Sequence, residues 1–111
     1  MMAKSEKTMQ QGSATMLVLA LLKEEEMYGY QMIEELAKRS RNVFQMKEGT
    51  LYPILHGLER DKLVTAAQRE APNGRQRRYY KITAAGLRVL EEKEKEWTEF
   101  SAAVTAVLAG A

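Results

Sequence analysis

The sequence has no cysteine, which excludes disulfides and thiolate metal sites and leaves the redox compartment open. Its one histidine, His56, cannot build a zinc site without several carboxylates beside it. The apolar run Ala14–Leu22 is too short to span a bilayer. It follows a polar start with no small-residue cleavage pattern, so the chain reads as cytoplasmic, with no signal peptide and no membrane partner. There is no phosphate-binding glycine loop, and no carboxylate pair stands outside helix faces that read as solvated. Nothing here points to an enzyme, and no catalytic residue, cofactor or metal is expected.

What is present fits one domain: 111 residues, 45% of them hydrophobic, enough for a modest core. A chain this short buries a limited share of its surface, so dimerisation would help its stability. The net charge of +2 says little, but its distribution says more. Arg69–Lys81 holds five basic residues and one acid, a net +4, whereas Ala84 to the end holds three basic residues and five acids, a net −2. Positive charge concentrated on one short segment is an electrostatic footprint for phosphates.

Periodicity divides the chain. Residues 1–12 read as a flexible or helical arm, with Ser13 as the N-cap of a first helix. Met16, Leu17, Leu19, Ala20, Leu21 and Leu22 make that helix apolar on more than one side. This fits a central core helix, with or without a helix of a second subunit on its far side. Gly29 suits a turn that starts a second helix, in which Met32, Ile33, Leu36 and Ala37 recur at helical spacing up to Lys38-Arg39-Ser40. A third helix is predicted over Glu48–Asp61, with Leu51, Ile54, Leu55 and Leu58 as its apolar stripe. Pro53 lies near its beginning, where a missing N–H costs little.

After Lys62 the period changes to alternation. Leu63–Glu70 and Arg77–Ile82 read as strands joined by the turn Ala71-Pro72-Asn73-Gly74. Tyr80 and Ile82 fall on one face and Tyr79 and Lys81 on the other. Thr83 is a good N-cap for a long last helix. Leu90, Trp97 and Val104 recur every seven residues along it, a short coiled-coil-like seam, with Leu108 on the same side and Phe100 beside it. The expected fold is mainly α, an α+β winged helix-turn-helix: 13–83 as the DNA-binding unit and 84–111 as a dimerisation helix.

Three blocks narrow this further. Leu19-Ala20-Leu21-Leu22 precedes Tyr28-Gly29-Tyr30-Gln31-Met32. Gly49-Thr50-Leu51-Tyr52-Pro53-Ile54-Leu55 precedes Leu58-Glu59-Arg60-Asp61-Lys62-Leu63-Val64. Gly74-Arg75-Gln76-Arg77-Arg78-Tyr79-Tyr80-Lys81-Ile82-Thr83 leads into Ala84-Ala85-Gly86. In this order and at these separations, over about Leu17–Leu90, the chain resembles the PadR family of transcriptional regulators. Lys62 departs from a glycine common in that family and must take a turn without glycine's freedom.

The resemblance implies a dimeric repressor on double-stranded DNA with an inverted-repeat operator. The third helix would lie in the major groove, with Lys47, Thr50, Tyr52, Pro53 and His56 on its DNA face. Arg75, Arg77 and Arg78 on the wing would neutralise phosphates. A single long C-terminal helix is similar to the short-form branch, in which the last helix and the first make the dimer. Trp97 matches a tryptophan that the multidrug-binding members of that branch place at the dimer centre. Leu90, Trp97, Phe100, Val104 and Leu108 would then pack the dimer or bind a planar aromatic effector. The rival is a winged helix that docks on another protein without an effector; a basic wing argues against it.

Overall fold

A computed structural model describes the backbone of residues 2–110 and the side chains of 13–110. Its elements are α1 (Met2–Glu24), β1 (Met27–Tyr28), α2 (Gly29–Arg39), α3 (Glu48–Arg60), β2 (Val64–Glu70), β3 (Gln76–Ile82) and α4 (Ala84–Leu108). The three strands form one antiparallel sheet in the order β1-β3-β2. The fold is thus mainly α with a small β-wing, as the sequence predicts.

One expectation at the N-terminal end is corrected, and one strand is new. Ser13 lies inside α1 rather than at its N-cap, because α1 starts at Met2. No proline interrupts Met2–Gly12, and the single Gly12 weakens a helix by about 1 kcal/mol without ending it. Met1 and the side chains of the predicted arm lie outside the described residues. The new strand is β1. Met27 pairs with Tyr80 and Tyr28 with Tyr79, a strand of two residues that is too short to show alternation.

One core holds the domain together. Val18, Leu19, Leu21 and Leu22 of α1 meet Met32 and Leu36 of α2, Leu51, Leu55 and Leu58 of α3, and Leu90 of α4. Met27, Val64 and Tyr80 close it from the sheet. The stripe read from α3 is therefore its buried face. Pro53, however, is the sixth residue of α3, past the first turn. The Gly49 carbonyl thus loses the amide that an ordinary residue would supply there. Both residues are exposed, so that carbonyl stays open to solvent, which lowers the cost.

The helix ends are closed by backbone. Leu63 N–H donates to Leu58 O at 2.9 Å and Lys62 N–H to Glu59 O at 3.0 Å, a Schellman pair. This places Lys62 at φ 60°, the left-handed conformation anticipated from the missing glycine. Arg41, at φ 52°, ends α2 in the same way, with Asn42 N–H on Ala37 O at 2.7 Å. Lys62→Gly is expected to stabilise the protein by about 1 kcal/mol by removing the Cβ conflict of that conformation. Urea unfolding measures it, and an unchanged or lower midpoint would show that the lysine side chain offsets the strain.

At the root of the wing, Thr83 joins two elements. Its hydroxyl accepts from Gly86 N–H at 3.0 Å, capping α4, and donates to Lys62 O at 2.9 Å. Its own N–H donates to Leu63 O at 3.0 Å. The end of α3, the start of β2 and the start of α4 are one junction. Beyond Leu90, α4 carries mostly exposed side chains and extends a molecule measuring 55 × 28 × 22 Å.

Candidate nucleic-acid interface

The outward side of α3 is built by subtraction: the leucine stripe turns inward, so the residues between face solvent. Lys47, Thr50, Pro53 and His56 are exposed and Tyr52 is half-buried. Lys47 occupies the N-cap in an extended conformation with no side-chain cap, leaving the first amides of α3 without a side-chain acceptor. The Tyr52 ring stands 6.4 Å from the His56 ring and lies over the start of α2. A Cβ on Gly29 would fall 2.9 Å from Tyr52 Cζ. Gly29 therefore leaves room for this close approach, and no turn requires it, since its φ is not in the positive region.

The wing follows the predicted hairpin. Val64 pairs with Ile82, Ala66 with Tyr80 and Glu70 with Gln76. Gly74, at φ 84°, closes the turn by donating its N–H to Ala71 O at 2.9 Å. Asn73 Oδ1 accepts from Arg75 N–H at 3.0 Å, and Arg75 is exposed at the tip.

The other two arginines are not equivalent to Arg75. Arg77 and Arg78 are neighbours on β3 and so face opposite sides. Arg77 is half-buried, with its guanidinium carbon 5.3 Å from the Tyr28 ring centre. Its Nε is buried without a hydrogen-bond partner among the described residues. Tyr28 meets Tyr79 edge-on at 5.3 Å, and Arg69 covers Tyr79 at 4.6 Å while pairing with Glu26. This side of the sheet is thus a cation–aromatic layer.

Arg78 turns the other way. Its Nη2 donates to Glu59 Oε2 at 2.6 Å, and its guanidinium lies 5.9 Å from the Tyr80 ring centre. Burial pushes the Tyr80 phenol above its ordinary value, and Arg78 partly opposes this. The ion pair ties the wing to the C-terminal end of α3. Glu59 is the first acid on the outward face of α3, two turns after Tyr52 on the same flank, but neither its partner nor the Arg69–Glu26 pair is legible in the sequence.

The residues expected for a dimer or an effector divide into two groups. Trp97 is 45% exposed, Phe100 52%, Val104 40% and Leu108 82%. The Trp97 and Phe100 rings are 6.0 Å apart. Phe100, Val104, Val107 and Leu108 lie together on the open surface of α4. Leu90, by contrast, is 1% exposed, covered by its own chain. The seven-residue row starts in the domain core and emerges from it.

Among the described residues no helix is long and apolar enough to cross a membrane. Residues 18–92 match the transcriptional regulator PadR-like family. The transcriptional regulator Rv3488 of Mycobacterium tuberculosis is 35% identical over 92 residues, 83% of this chain and 82% of that one. The crystal structure of a PadR-like transcriptional regulator from Bacillus cereus superposes with a TM-score of 0.82 at 32% identity, covering 94% of this chain and 99% of that one. A PadR family regulator from Eggerthella lenta gives 0.80 at 31% identity, covering 96% and 91%. These proteins are regulators of transcription rather than enzymes, and the matched segment contains α2, α3, the wing and the first turns of α4: the chain belongs to the PadR-like family of transcriptional regulators.

Proposed function

We propose that the protein is a dimeric repressor that binds an inverted-repeat operator through α3 and the wing, and that a planar aromatic ligand at the dimer centre relieves it. The observation that carries the DNA reading is the Arg78–Glu59 contact, which holds a basic hairpin alongside α3, whose outward side is open. Thr50, Tyr52, Pro53 and His56 approach base edges and the sugar–phosphate backbone. Lys47 and the uncapped start of α3 attract a phosphate. Arg75 at the wing tip reaches phosphate directly, and Arg77 adds to the positive charge of the hairpin. Two copies of α3 enter successive major grooves about 34–36 Å apart. The exposed row Trp97, Phe100, Val104 and Leu108 joins the two copies and supplies the aromatic surface for the ligand.

The test is a pair of variants read by salt dependence. Arg75→Gln should weaken binding to every duplex and flatten the salt slope by about 0.9 per protomer. Thr50→Ala should weaken the operator more than mixed-sequence DNA, by roughly 1 kcal/mol or more. If Arg75→Gln leaves both affinity and slope unchanged, the wing does not touch the backbone.

A further inference from the structure

We propose that Glu59 is an internal competitor for Arg78, a carboxylate on the recognition helix that occupies the place of a phosphate and keeps this wing arginine from adding to sequence-independent DNA binding. This role rests on the DNA-binding reading above and deepens it.

The geometry is that of a charge-assisted hydrogen bond, Nη2 to Oε2 at 2.6 Å, just under the usual ~2.7–2.9 Å at which a guanidinium meets a carboxylate or phosphate oxygen. The elements on either side fix it. Glu59 belongs to the last turn of α3. Arg78 stands one step along its strand face from Tyr80, which is buried in the core. Arg78 therefore cannot drift from Glu59 without bending β3 or changing its rotamer. Both side chains retain solvent access, 44% and 33%, so the pair is exchangeable rather than locked.

A phosphate that takes Arg78 must displace the carboxylate and leave Glu59 uncompensated beside a polyanion. That penalty applies to every sequence. Nonspecific affinity comes almost wholly from phosphate neutralisation, whereas base readout lies with the first half of α3. Holding Arg78 back therefore lowers binding to every duplex by the same factor, and Glu59 sets the sequence-independent level of affinity. Arg75, exposed at the tip, meets no carboxylate among the described residues, so two cations three residues apart on one wing have different tasks.

The experiment uses the full chain and a long mixed-sequence duplex, with binding measured across a salt series for the wild type, Glu59→Gln, Arg78→Gln and the double variant. Glu59→Gln should raise nonspecific affinity severalfold and steepen the salt slope by about 0.9 per protomer, the count of one added phosphate contact. Arg78→Gln leaves Glu59 unpaired beside the duplex and should weaken binding, and removing Glu59 as well, in the double variant, should restore the wild-type slope. A double-variant slope flatter than wild type, or a Glu59→Gln slope equal to it, overturns the role. Thermal melts confirm that each surface variant is folded. If the wild type itself binds no duplex, the DNA reading falls; if it binds and only the Glu59→Gln slope stays unchanged, the competitor alone falls.

Discussion

Gly86→Ala is expected to lower the melting temperature by about 12 °C or more, from a loss of roughly 3 kcal/mol. A Cβ at this position would lie 2.7 Å from Ile82 Cγ1 and closer still to the Leu63 carbonyl oxygen. The Ile82 side chain can turn away, but the Leu63 carbonyl cannot. It already accepts the Thr83 N–H at 3.0 Å, and it belongs to the junction that holds α3, β2 and α4 together. Relief would require α4 to move off the sheet root and take Leu90 out of the core. For a domain of this size the loss is a large part of its total stability. Gly29→Ala is the matching control. Its added methyl meets the far end of the Tyr52 side chain, which is half-buried and can swing. A melting temperature for Gly86→Ala within a degree or two of wild type would mean that the junction yields, and the rigid coupling of α4 to the wing would have to be abandoned.

Val104→Glu should convert the protein to a monomer in sedimentation and weaken operator binding by about 100-fold or more, since two half-sites would no longer be bound as one. Trp97, Phe100, Val104, Val107 and Leu108 fall within an arc of about 100° on α4 and are all at least 40% exposed. A row of that kind marks an interaction surface. A carboxylate at its middle would be buried without a partner when two copies meet. Within one copy Val104 supports little, so the helix-turn-helix and wing should stay folded and nonspecific half-site binding should survive. The same variant tests the ligand. Trp97 is the only tryptophan, so its fluorescence reports one position. Flat aromatic cations should quench it saturably in the wild type and fail to do so in Val104→Glu. A variant that still sediments as a dimer with full operator affinity would remove this helix from the dimer reading.

Much of the DNA-facing architecture was legible because it is local. The leucine stripe of α3, the Pro72-Asn73-Gly74 turn, the Thr83 cap and the left-handed Lys62 each depend on residues a few positions apart, where helix period, turn geometry and cap chemistry operate. The family blocks added their order. The misread positions share the opposite property. Ser13 was misplaced because a capping residue is also tolerated inside a helix when no proline stops the chain before it. β1 owes its two residues to pairing with Tyr79 and Tyr80, some fifty positions away. Gly29 looks like a turn glycine until Tyr52 arrives from α3.

The sequence by itself determined which segments are helix or hairpin, where the positive charge gathers, and that an apolar row runs the length of α4. Only the tertiary structure decided what each charged or apolar residue has left to offer. Leu90 is used up by its own core while Trp97, Phe100 and Val104 are not. Arg77 is layered against Tyr28, Arg78 is held by Glu59, and Arg75 stays exposed at the wing tip. The physical reason is that periodicity reports the face of an element on which a side chain sits. The partner that meets that face is set by the packing of elements distant in sequence, and for a charged group the partner decides whether its charge remains available to DNA.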